Sequence, residues 1–95
     1  MKVTILRENE IRSCVSLNDE SIRAVAYGYT RLAEGKVSMP PVIRVDVASY
    51  NGEVDIKTAY IEGLDSFAIK VASGFFDNPK IGLPYGSGMM LLIST

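Results

Sequence analysis

The stretch from Glu53 to Asn78 constrains this chain most, because apolar and polar residues alternate with the period of a strand on both sides of a glycine-centred turn. Val54, Ile56, Thr58 and Tyr60, then Phe67, Ile69 and Val71, fall on one face. Asp55, Lys57 and Ala59, then Ala68, Lys70 and Ala72, fall on the other. Gly63-Leu64 reads as a two-residue hairpin turn, with glycine at the first central position that a type II′ turn favours. This turn sets Lys57 directly opposite Lys70. Like charges so placed repel, and only alanines surround them, so the two ammonium heads stand over a shallow floor. The arrangement calls for an anion the size of a small carboxylate.

The preceding segment, Val42 to Val47, also alternates, and Asn51-Gly52 is a strong signal for a type I′ turn. A three-strand meander follows, with Asp46 opposite Lys57 and Arg44 opposite Ala59. Arg44, Asp46, Asp55, Lys57 and Lys70 then share one face, three cations against two anions. The competing reading is an ordinary solvated face. Antiparallel sheets commonly wet one side, and exposed ion pairs contribute only about 0–1 kcal/mol each.

Ninety-five residues make one small domain, yet 47% of them are hydrophobic and the mean hydropathy is +0.16. That is high for a domain that keeps a polar face wet, so part of the surface is expected to be covered. A net charge of −1 and a pI near 5.3 give no field for holding nucleic acid or an anionic membrane. There is no histidine to serve as base or metal ligand, and the single cysteine excludes an internal disulfide. Cys14, beside Ile11 and Val15, reads as a buried, inert thiol. The N-terminal residues lack the apolar core of a signal peptide, and the longest apolar run, Met89 to Ile93, is too short to span a bilayer. A cytoplasmic location is expected.

Val3–Leu6 reads as a short strand and residues 8–14 as a short helix. The main helix starts after Asn18, an N-cap followed by Asp19 and Glu20, and carries Ile22, Val25, Ala26, Tyr29, Leu32 and Ala33 as one stripe. Gly35 is placed to end it. Gly28 inside it suggests close approach to a sheet or another chain. Met39-Pro40-Pro41 enforces an extended lead into the first strand of the meander. The expected fold is α+β, an antiparallel or mixed sheet with this one amphipathic helix, from about Asp19 to Glu34, packed on its apolar face. The glycines between Gly82 and Gly88 match neither dinucleotide-binding nor P-loop spacing. The apolar run after Met89 has no later element to cover it, as in a truncated chain.

Met39-Pro-Pro, Arg44, Asp55-Ile-Lys57-Thr-Ala-Tyr60, Phe67-Ala-Ile-Lys70-Val-Ala-Ser-Gly-Phe-Phe-Asp-Asn78-Pro and Gly82-Leu-Pro, in this order and spacing, resemble the N-terminal domain of the ornithine cyclodeaminase and mu-crystallin family. The resemblance covers nearly the whole chain. It implies an NAD- or NADP-dependent enzyme acting on a small amino or imino acid, with residues 1–95 as the first part of a substrate-binding and dimerisation domain. The Rossmann domain would lie outside this chain, leaving it no catalytic residue of its own, and a homodimer is implied. Arg44 and Lys70 match family positions that bind the substrate carboxylate, with Lys57 and Asp55 beside them, and Tyr85 lies near a position that contacts the cofactor in some members. Lys57 stands where ornithine cyclodeaminases proper have methionine, and Asp55 where they have glutamate. At that strand the chain looks closer to ectoine-utilisation and cyclodeaminase-like members. The alternative function is a non-catalytic α+β interaction module whose polar face is merely solvated.

Overall fold

Every strand of this α+β chain is antiparallel to its neighbours, and β3 is the strand on which the others are organised. The computed structural model describes residues 1–95. In chain order it has α1 (Glu8–Cys14), α2 (Asp19–Ala33), β1 (Val37–Ser38), β2 (Ile43–Val47), β3 (Gly52–Ile61), β4 (Ser66–Phe75) and β5 (Gly86–Ser94). Short 3-10 turns occupy Ala48–Tyr50 and Asn78–Ile81. The sheet order is β1-β3-β4-β5, and β2 shares with β1 the edge of β3 away from β4. β1 pairs with the last residues of β3, and β2 with its first half.

The hairpin register expected from a Gly63-Leu64 turn is the observed one, with Lys57 opposite Lys70. Its turn differs. The Leu64 N–H donates to the Ile61 carbonyl at 3.2 Å, so Glu62 and Gly63 are the central residues. Gly63, at φ 91°, occupies the second position, where a type II turn requires positive φ.

The β2–β3 connection departs further. Asn51 alone takes the left-handed conformation, at φ 47°, after the 3-10 turn, and Gly52 is already an extended residue of β3. The expected I′ turn, which needs positive φ at both residues, is not formed. Arg44 therefore lies opposite Asp55 rather than Ala59, and Asp46 opposite Glu53 rather than Lys57. The slip is an even number of residues, so each side chain keeps its predicted face.

Other expectations fail as well. Val3–Leu6 forms no strand and pairs with none of the five strands of the sheet. Cys14 is exposed, because α1 buries none of its residues.

The N-cap of α2 is as predicted. Asn18 Oδ1 accepts from the Ser21 N–H at 2.9 Å, and Ser21 Oγ accepts from the Asn18 N–H at 3.0 Å. The helix ends on Gly35 at φ 72°, with Gly35 N–H donating to Leu32 O and Lys36 N–H to Arg31 O. Val25, Gly28, Tyr29 and Leu32 of its stripe face a hollow walled by Val37, Met39, Ala59 and Ile61. A methyl on Gly28 would sit 3.7 Å from Ile61 Cδ1, an ordinary contact, so the approach is close without demanding glycine. Ala59 and Ile61 continue the alternation of Lys57, so α2 packs on the lysine side of the sheet and not on the expected face of Val54, Ile56 and Val71; the lysine side is apolar at the α2 end and charged farther along. Arg31 ties the helix to the hairpin turn, donating to the Glu62 carbonyl at 3.4 Å.

Gly74 is the one buried residue. β3 and β4 are half-covered, and all nine residues of β5 are exposed. No helix is long and apolar enough to cross a membrane.

Candidate functional site: a paired-lysine face on the central hairpin

Alternation along β3 and β4 places Glu53, Asp55, Lys57 and Ala59 on the same side as Ala68, Lys70, Ala72 and Gly74. β2 adds Arg44 and Asp46 at one margin, and β5 adds Met90, opposite Lys70, and Gly88, opposite Ala72, at the other. Beside the lysines the floor within β3 and β4 is Ala59, Ala68, Ala72 and Gly74, with Met90 and Leu92 at the β5 margin. Gly88 is itself tight, since a Cβ there would lie 3.2 Å from the Val71 carbonyl oxygen. At the α2 end the face rises through Ala59 and Ile61. At the other end Tyr85 lies over Gly74, its hydroxyl 3.3 Å from where a Cβ would stand, and meets Phe76 edge-on with ring centroids 5.1 Å apart. The lysines thus occupy a trough with a helix at one end and an aromatic pair at the other.

The charges on this face are divided unevenly. Arg44 donates from Nε to Asp55 Oδ1 at 2.9 Å and from a terminal nitrogen to Asp55 Oδ2 at 3.3 Å. Glu53 Oε1 lies 3.5 Å from the same terminal nitrogen. Hydrogen bonding to Arg44 holds the Asp55 carboxyl below its usual range, with burial opposing and the charges of Arg44 and Lys57 assisting. The Arg44 guanidinium is shifted upward by its hydrogen bond to Asp55 and by the Asp55, Glu53 and Asp46 charges, against desolvation. Lys57 and Lys70 are both exposed and have no carboxylate within 4.0 Å.

Arg44, Asp55, Lys57 and Lys70 thus come together as their alternation predicts, and Tyr85 stands on the same side, two pleats beyond Lys70. Glu53 went unrecognised in the sequence. The signal was present, since it shares the alternation of Asp55 and Lys57, but a strand begun at Val54 leaves it in the turn.

A larger hollow of about 540 Å³ lies away from the lysines, at the Ala48–Tyr50 and Asn78–Ile81 turns, and includes Tyr50, Phe75, Asp77 and Lys80. Its charges are satisfied internally: Lys80 Nζ donates to Asp77 Oδ1 at 2.7 Å and Asn51 Nδ2 to Asp77 Oδ2 at 3.4 Å. No cluster of acidic or cysteine side chains that could hold a metal ion is present. Gly86 and Gly88 lie inside β5 against the Ser73 and Val71 carbonyls, not in a loop opening a helix, so these glycines offer no cradle for a dinucleotide pyrophosphate.

The profile of the ornithine cyclodeaminase/mu-crystallin family matches residues 1–95. A Rhizobium meliloti (strain 1021) protein provisionally named a dehydrogenase is 51% identical over 94 residues, 99% of this chain and 29% of that protein. An uncharacterised cyclodeaminase, y4tK, of Sinorhizobium fredii is 51% identical over 92 residues, 96% of this chain and 28% of the relative. The chain therefore spans less than a third of these relatives. Among solved structures it superposes on an archaeal alanine dehydrogenase dimer with bound NAD at a TM-score of 0.80, with 28% identity over 92% of this chain and 26% of that one. It also superposes on the Thermococcus litoralis Δ1-pyrroline-2-carboxylate reductase in complex with NADH and L-proline, at a TM-score of 0.79 and 29% identity over 87% of this chain and 25% of that one.

Proposed function

Because residues 1–95 belong to the ornithine cyclodeaminase/mu-crystallin family, a family of cyclodeaminase- and reductase-type enzymes, we propose that they form the first part of the substrate-binding and dimerisation domain of a nicotinamide-dependent enzyme. Its substrate would be a small amino or imino acid, its place of action the cytoplasm, and its assembly a homodimer. Lys70 and Arg44 would hold the substrate carboxylate. The observation that carries this reading is the unpaired Lys57–Lys70 juxtaposition on an alanine floor, one strand away from a guanidinium already fixed in place.

In this reading Lys70 supplies a mobile point charge and Arg44 the N–H groups that Asp55 and Glu53 leave free. Asp55 acts through Arg44 as a positioning residue, fixing the plane of the fork. Lys57 sits beside the carboxylate and contributes to the choice of substrate. Holding the carboxylate at one point orients the α-carbon for hydride exchange. A nicotinamide cofactor, NAD or NADP, would take that hydride from an amino acid or, in its reduced form, give it to an imino acid. Residues outside this chain would hold most of the cofactor, since no phosphate cradle lies within it. Tyr85 is the side chain here best placed for a cofactor contact, half-exposed on the same face as Lys70.

A second reading, a non-catalytic interaction module, draws on the pairing of Arg44 with Asp55 and Glu53, which makes that corner self-neutralising. Steady-state kinetics and amino-acid binding by the full-length protein separate the two. Loss of kcat/KM and of carboxylate binding in Lys70→Ala and Arg44→Ala supports the enzyme. Unchanged values in both variants return the face to solvation.

A further inference from the structure

Three cations and three anions share this face, but Glu53 and Asp55 gather at Arg44 and leave the two lysines without a carboxylate within 4.0 Å. Of the ten lysines and arginines, Arg7, Arg12, Arg31, Lys36, Arg44 and Lys80 have a carboxylate within 4.0 Å. The remaining four are Lys2, Arg23, Lys57 and Lys70. Lys2 lies in the N-terminal segment and Arg23 on α2, so neither belongs to a strand of the sheet. Only Lys57 and Lys70 face each other as direct register partners. Opposed like charges on a sheet are destabilising, so the fold itself gains nothing from the pair. Asp55 is the nearest candidate for relief along β3, but both of its oxygens are engaged by Arg44.

We propose that the substrate carries a second anionic group and that Lys57 reads it, making this a site for an amino or imino dicarboxylate. The inference rests on the reading that Lys70 and Arg44 hold the first carboxylate. With that carboxylate on Lys70, a neutral side chain would leave the Lys57 ammonium uncompensated beside the reacting amine. A second carboxylate compensates it. Lys57 and Lys70 are direct register partners with nothing between them, and the flanking alanines at positions 59, 68 and 72 keep side-chain bulk away from the pair, so a short carbon chain can lie across the hairpin with one anionic end on each lysine. Neither ammonium needs an oriented fork to do this, because a lysine head is a point charge on a flexible stem.

The test uses isosteric pairs that differ only in the second charge: aspartate against asparagine and glutamate against glutamine, with alanine and proline as monocarboxylates. Each is assayed with the full-length protein for kcat/KM and, separately, for equilibrium binding, with cofactor binding measured in every variant. The acid of each pair is preferred over its amide about tenfold or more, and the preference shrinks as ionic strength rises. Lys57→Gln lowers kcat/KM for the acids about tenfold more than for the amides, and Lys57→Arg retains the preference. Equal or better use of the amides or of the monocarboxylates overturns the dicarboxylate assignment while sustaining the carboxylate site. A preference that survives Lys57→Gln overturns the role of Lys57. Failure of every compound to bind, with cofactor binding intact, overturns the carboxylate site itself.

Discussion

Arg44 and Asp55 are register partners on β2 and β3 and are joined by two hydrogen bonds, of 2.9 and 3.3 Å, so the one fork-shaped cation of the lysine face is held by a carboxylate before any ligand arrives. Asp55→Asn removes the anionic half of that grip. The expected outcome in the full-length protein is a loss of roughly tenfold in kcat/KM through misorientation of the guanidinium, with little change in melting temperature because the pair is at the surface. Kinetics and thermal unfolding on the same preparation check both halves.

The same pair fixes a pH dependence. Hydrogen bonding to Arg44 lowers the folded-state pKa of Asp55 below its unfolded value, so its contribution to stability is fully present above the unfolded carboxylate range and fades as pH falls through the folded value. Asp77, lowered by hydrogen bonds from Lys80 and Asn51 and by the Lys80 charge, has the same sign. Substituting either residue with asparagine should lower stability slightly at neutral and alkaline pH, leave the acid end unchanged, and so flatten the acid limb of a stability-against-pH curve. Urea midpoints measured from pH 2 to pH 7 follow the effect.

Lys70→Ala and Arg44→Ala should each reduce kcat/KM by roughly 10- to 100-fold, the range for loss of a charge-assisted hydrogen bond to substrate. Cofactor affinity should hold. A parallel collapse of cofactor binding would mean that the substitutions disturb the fold rather than the carboxylate contact.

Gly52 is an extended residue opposite Phe75, and a Cβ there would overlap the Phe75 ring. Gly52→Ala should therefore destabilise by about 1–3 kcal/mol, as overpacked sites do. Combination with Phe75→Leu should recover part of that loss in a double-mutant cycle. Additive losses would show that the ring moves aside freely.

Val45, Val54, Ile56, Ile69, Val71, Met89 and Leu91 line the face of the sheet away from Lys57, and β5 ends that sheet as an exposed edge. Such an apolar face with an open edge invites a partner strand or sheet. The protein should sediment as an associating species, and Leu91→Lys should shift it toward monomer. A concentration-independent monomer in the unsubstituted protein would count against a dimerisation role.

The lysine hairpin was legible because three signals agree: strict alternation on both strands, a glycine at the turn and a two-residue period that fixes faces. The turn type was not, because Gly63 can supply positive φ at either central position and only the Leu64–Ile61 hydrogen bond decides between them. The register of β2 was misread because Asn51-Gly52 looks like a two-residue turn, whereas Gly52 is needed in the strand to admit the Phe75 ring. That competition between a local turn signal and a tertiary contact is invisible in the sequence. The faces were right although the partners were wrong, since a slip of four residues preserves parity. Glu53 was lost at a strand boundary, and the Arg44–Asp55 pair was lost with the register.

The clamp on Arg44 divides the cations of this trough into two kinds. Its rotamers are spent when the chain folds, so a ligand reaching it loses little further side-chain entropy and meets a plane of fixed tilt. Lys57 and Lys70 keep their stems free and can follow a ligand of varying length. Stereochemistry should therefore be policed at the arginine, where a mirror-image substrate cannot re-aim the fork, while chain length is tolerated at the lysines.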